Sequence, residues 1–156
     1  MIPPSMTLAK IIQKFVPCRQ DPEALAPITI GITTFAARFY TYFAPLLARI
    51  RELDQQSEVV VAINGEHQQE FDENYRAEIL KFIAEQPRVY PVFFPSFRGL
   101  AKLWNTVVIH ASQDYILMLN DDLSITAADC LEKIKLHIPA TATGRSPSIS
   151  LGRIFC

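Results

Sequence analysis

The feature that most constrains this chain is a rhythm. Four strand-length apolar runs, Ile28 to Thr34, Glu58 to Asn64, Val89 to Phe94 and Tyr115 to Leu119, alternate with stretches whose apolar residues recur at helical spacing. Side chains along a strand point alternately to the two faces of its sheet, so runs such as ITIGITT and EVVVAIN, apolar almost throughout, need cover on both sides. Helical stripes at Phe39, Phe43, Leu46, Leu47 and Ile50, at Phe71, Tyr75, Ile79, Phe82 and Ile83, and at Leu100, Leu103, Trp104, Val107 and Val108 supply it. The expected fold class is therefore α/β, a mostly parallel sheet with helices on both faces. Pro91 cannot donate to a ladder, which assigns the third strand to an edge and makes 3-2-1-4 the simplest strand order. In that order the first and fourth strands end at a topological switch point, where open α/β sheets form ligand crevices.

The fourth run sharpens the expectation. In DYILMLNDDL, Asp114 to Leu123, the apolar stretch ends abruptly at Asn120, Asp121 and Asp122. Adjacent carboxylates at the carboxyl edge of a buried strand repel one another and lose hydration unless a cation or strong donors answer them. The bland alternative is a polar turn, since Asp and Asn are good turn residues. Thr33 and Thr34, ending the first strand, are expected to face this corner.

The remainder of the chain is less organised. Residues 1–27 are expected to form a helix and linker: Thr7 can cap a stripe of Leu8, Ile11, Ile12 and Phe15, stopped by Pro17. Residues 28–139 hold the α/β pattern. A capping box at Thr126 to Asp129 is expected to open its last helix, through Leu131, Ile134 and Ile138. Residues 140–156 are small, polar and weakly periodic, and read as an irregular tail or the start of a further half. Pro45 predicts a bent or late-starting helix after the first strand. The cluster Phe39, Tyr40, Tyr42 and Phe43 reads as core packing in preference to a binding platform.

Composition narrows the function classes. A formal net charge of −1 leaves no long-range pull toward nucleic acid. Cys18, Cys130 and Cys156 lack metal-ligand spacing and read as reduced thiols of a cytosolic chain. No apolar run approaches the roughly 20 residues of a membrane span, and the first 15 residues do not resemble a signal peptide. The first strand-to-helix turn, TTFAAR, lacks GxGxxG; GxxxxGK[ST] and GxSxG are also missing, and His67, His110 and His137 share no ligand spacing.

With those classes set aside, Ile28 to about Leu123 resembles the nucleotide-sugar-binding half of a family 2 glycosyltransferase of GT-A fold. ITIGITTFAAR resembles the family's opening strand and turn, with Thr34 and Arg38 at the matching places. EVVVAINGE resembles its second strand, FRGLAKLWN the glycine-helix segment with Gly99, Lys102 and Asn105, and DYILMLNDDL the strand ending in a DxD motif. The resemblance implies a nucleoside-diphosphate sugar donor bound by Thr33, Thr34, Arg38, Asn64, Lys102, Asn120 and Asp121. It also implies Mn²⁺ or Mg²⁺ held by Asp122, the first-choice ligand, and by Asn120. Asn120 and Asn64 depart from the aspartates usual at their positions, and an amide binds a hard cation without charge. Trp104 and Asn105 read as fixing core and loop. The implied acceptor is a glycan or a lipid-linked molecule, at a cytoplasmic location or the inner face of the membrane. Peripheral membrane association and homo-oligomerisation stay open as partner expectations, and nucleic acid is not expected. No residue is identified as the general base, because the family carries it in a second half. A truncated or degenerate, non-catalytic domain acting as a binding module is therefore the alternative.

Overall fold

The computed structural model describes residues 25–66, 72–138 and 148–150, the last three through their backbone alone. The helix expected around Thr7, with Phe71, His67, Pro139, Cys18 and Cys156, lies outside the described residues. β1 (Ile28–Phe35), β2 (Glu58–Asn64), β3 (Val89–Phe93) and β4 (Tyr115–Asn120) are parallel and ordered β3-β2-β1-β4, with Pro91 on the expected edge strand. A short strand, β5 (Ser148–Ser150), pairs in parallel with β4 beyond it, inside the stretch read as a tail.

The doubly apolar strands divide their side chains between two cores. Ile28, Ile30 and Ile32 of β1 and Val59, Val61 and Ile63 of β2 join one core, with α1 (Ala44–Leu53), α2 (Glu73–Ala84) and α4 (Cys130–Leu136). Val60 and Ala62 face the other way, against Leu103 and Val107 of α3 (Leu100–His110). This period of two across a sheet covered on both faces is what the unbroken apolar runs require. Gly31 lets α3 sit close to β1: a β-carbon there would lie 2.3 Å from Val107 Cγ1 and 2.7 Å from Met118 Sδ.

Two local readings are refined. A 3₁₀ turn (Ala36–Arg38) and a π-helical turn (Phe39–Phe43) follow β1, and regular α-helix begins at Ala44 with Pro45 in its first turn. Pro45 has no N–H to give, so the entry winds differently, with the Ala44 N–H reaching back to the Phe39 carbonyl. The last helix starts at Cys130 rather than beside Thr126. Ile125 is buried in the core, and its carbonyl accepts from Arg49 Nε at 3.1 Å, holding the preceding segment out of helix. Cys130, one of the three cysteines without metal-ligand spacing, is buried and opens α4.

At the amino-terminal end of the sheet, Glu58 is buried and accepts from Thr29 Oγ1 at 2.8 Å, from the Ser112 N–H at 2.9 Å and from Ser112 Oγ. Burial alone would raise its pKa, but these hydrogen bonds outweigh it and lower the pKa. The carboxylate ties β1, β2 and the segment before β4 together, leaving the opposite end of the sheet free to differ.

Candidate functional site

At that opposite end, parallel pairing brings three strand ends level: Thr33 lies across from Asn120, and Phe35 across from Asn64. A cleft of about 300 Å³ opens there, walled by these residues together with Thr34, Arg38, Asp121, Asp122 and a segment of the loop entering α3. The strand order thus converts three distant stretches of sequence into one rim.

The carboxylate corner is organised around Arg38. Thr34 Oγ1 donates to Asp121 Oδ2 at 2.7 Å, and Arg38 Nη2 lies 3.0 Å from Asp121 Oδ1 and 3.2 Å from Asp122 Oδ2. One guanidinium nitrogen therefore bridges the two acids, whose settings differ: the Asp121 side chain is 8% exposed and that of Asp122 is 55% exposed. Two neighbouring carboxylates repel one another, and the positive charge between them relieves that repulsion. The Arg38 guanidinium also lies over the Tyr42 ring, 4.3 Å from its centroid, a cation–π arrangement. Its Nε is buried without a hydrogen-bond partner. The aromatic cluster has thus split: Phe39 and Phe43 are core, while Tyr42 remains exposed and supports the arginine.

A second device seats the facing wall. The Asn64 side chain donates to the Arg98 carbonyl and accepts from the Arg98 N–H, both at 2.8 Å. A β-carbon on Gly65 would lie 2.8 Å from the Phe94 and Pro95 carbonyl oxygens and the Ser96 nitrogen, so glycine admits the loop against the end of β2. Asn64 therefore positions backbone, keeping one N–H and one lone pair to spare. The seated loop carries Phe97, whose ring lies near-parallel to Phe35 at a centroid separation of 6.1 Å and an interplanar angle of 13°.

The structure gathers Thr33, Thr34, Arg38, Asn64, Asn120, Asp121 and Asp122 into this one cleft. Lys102 is not part of the wall; it is exposed in the first turn of α3. Phe35, Phe97 and Arg98 line the cleft without having been singled out from sequence, and Leu100 and Leu103, read there as part of a packing stripe, reach it as well. The signal for Phe97 and Arg98 was their place just before Gly99, where a loop enters a helix at the sheet's carboxyl edge. Among the described residues, no histidine and no third carboxylate lines the cleft; His110 and His137 are exposed at helix ends, each with Nδ1 within 2.8 Å of a carbonyl of its own helix.

The corner carries the kinds of donor atom that a hard divalent ion takes. Among the described residues no three His, Cys, Asp or Glu side chains converge as a metal cage. Two carboxylates and an amide oxygen nevertheless suit Mg²⁺ or Mn²⁺, which commonly take one or two protein carboxylates and complete their shell with water and phosphate oxygens.

No protein-family model and no curated protein matches the chain. Solved structures do. S. aureus TarS 1-349 in complex with UDP-GlcNAc superposes with a TM-score of 0.54 at 17% identity, over 69% of this chain and 30% of that one. The mannosyltransferase PcManGT from Pyrobaculum calidifontis, in complex with GDP-Man and Mn²⁺, superposes with a TM-score of 0.57 at 22% identity, over 76% of this chain and 34% of that one. The chain thus spans about a third of the length of these two proteins, whose fold it shares.

Proposed function

We propose that the cleft binds the nucleoside diphosphate of a sugar donor, and that the chain is the donor-binding part of a family 2-like glycosyltransferase that passes the sugar to a glycan or lipid-linked acceptor. The observation that carries this reading is the corner itself. Thr34, Arg38, Asp121 and Asp122 form one charged network at the carboxyl edge of a parallel sheet, beside the flat faces of Phe35 and Phe97. The likeness of fold to TarS and to the mannosyltransferase supports it.

Each side chain has a distinct task on this reading. Phe35 and Phe97 offer the ring faces on which a base stacks. Thr34 spends its hydroxyl on Asp121 and so positions that carboxylate. Asp122, the more exposed acid, and the Asn120 amide oxygen are the ligands for Mn²⁺ or Mg²⁺. Such an ion, when bound, neutralises the charge that gathers on the departing nucleoside diphosphate. Arg38 and Arg98 add positive charge along the same wall.

A second reading, donor binding without transfer, is favoured by one observation. An attacking hydroxyl needs a base in inverting transfer, and among the described residues no histidine or third carboxylate lines the cleft.

Calorimetric titration with UDP and GDP, with and without Mn²⁺, tests the donor site. One nucleotide is expected to bind in the presence of Mn²⁺. Asp122→Ala is expected to weaken that binding by about ten-fold or more, in line with loss of a charged contact. Because Asp122 is exposed, the variant's thermal midpoint should match the parent's. Failure of the folded protein to bind either nucleotide would remove the proposal.

A further inference from the structure

The Asn120–Asp122 edge already has a cation of its own. Arg38 Nη2 lies 3.0 Å from one acid and 3.2 Å from the other, so two carboxylates and one guanidinium leave a single net negative charge. A divalent ion placed at the same edge would meet that guanidinium about one contact distance away. At roughly 4 Å, repulsion between a double and a single positive charge weakens binding more than about ten-fold, even at the dielectric constant of water.

The guanidinium is also incompletely held. Its Nη2 serves both acids, while its Nε is buried without a hydrogen-bond partner. Its side chain is 36% exposed, and it lines the same cleft. An arginine fork pairs well with phosphate oxygens, so an anion in the cleft offers it the partner it lacks.

We propose that the Arg38 guanidinium and a divalent ion are alternative occupants of the Asp121–Asp122 edge: an ion binds as Arg38 releases the acids and turns to the anionic ligand in the cleft. This rests on the reading of that edge as a cation site. Arg38 is then a positioning residue that holds the two acids together before ligand arrives and competes with metal for them.

The test is direct titration of Mn²⁺, without nucleotide, into the full chain and its variants, followed by calorimetry and by the spin-resonance signal of free Mn²⁺. Arg38→Gln is expected to bind Mn²⁺ about ten-fold more tightly than the parent. Arg38→Lys keeps the charge but not the fork, and is expected to fall between the two. Lys81→Gln, a charge removed from the exposed face of α2, is expected to match the parent. Unchanged or weaker binding in folded Arg38→Gln overturns the competition. So does an Arg38→Lys variant indistinguishable from the parent, which would reduce the effect to distant charge. Absence of Mn²⁺ binding in both parent and Arg38→Gln also overturns it. In that case titration of the parent with UDP and GDP in the presence of Mn²⁺ separates the two ideas: binding there preserves the donor-site reading while the competition falls, and no binding with or without the ion removes both.

Discussion

Away from the cleft, Lys135 of α4 places Nζ 2.6 Å from Asp54 Oδ2 at the end of α1, both side chains at most 10% exposed. Burial alone would raise the Asp54 carboxyl. The Lys135 ammonium and hydrogen bonds from Ser57 and Gln56 outweigh it and hold the group at about 2, against an ordinary 3.8. A lowered folded-state pKa stabilises the protein above the ordinary value, and that stability is lost as pH falls from 3.8 through about 2. Lys135→Met leaves the acid buried without its partner. It is expected to cost about 3 kcal/mol at neutral pH and to move the acid loss upward, as urea unfolding across pH 2–7 will reveal. Thr34, Asp121 and Asp122 are legible as neighbours from sequence, because parallel strands bring their carboxyl ends to one edge, whereas Arg38 is named only by the family resemblance. Bonding partners are not legible. Asn64 reads from sequence as a donor-binding residue, and its two hydrogen bonds to Arg98 are not legible there, since nothing local distinguishes an amide aimed at a ligand from one aimed at a loop.

Elements are more legible than residues, and most so where packing leaves no choice. Runs that are apolar on both faces announce β1 and β2, and Pro91 announces an edge. Entries and starts are less legible: the π turn before Pro45 and the delayed start of α4 depend on where Phe39 and Ile125 find the core, which periodicity alone does not encode. The approach of α3 to β1 depends on one missing side chain. Gly31→Ala would force its methyl into Val107 and Met118, and is expected to destabilise by about 1–3 kcal/mol. Val107→Ala combined with it should recover part of that loss, and a double-mutant cycle read by thermal unfolding will give the coupling.

For the molecule as a whole, order is expected to fall away from the middle of the sheet. β1 and β2 are flanked by strands on both sides and covered on both faces, whereas β3 is an edge with Tyr90 exposed. Hydrogen exchange followed by mass spectrometry should therefore find the slowest amides in β1 and β2 and faster ones in β3; uniform protection would count against this gradient. The ladder that protects the middle also sets the cleft, since Thr33 stands beside Asn120 and Phe35 beside Asn64 by register. A slip of one residue would turn every side chain of a strand to the opposite face and dissolve the rim. Most residues that line the cleft lie at or beyond the last paired positions, however, so their identities can change without disturbing a single rung. A scaffold of this kind separates accuracy of place from choice of chemistry, and lets one frame be fitted to different ligands by rewriting only its edge.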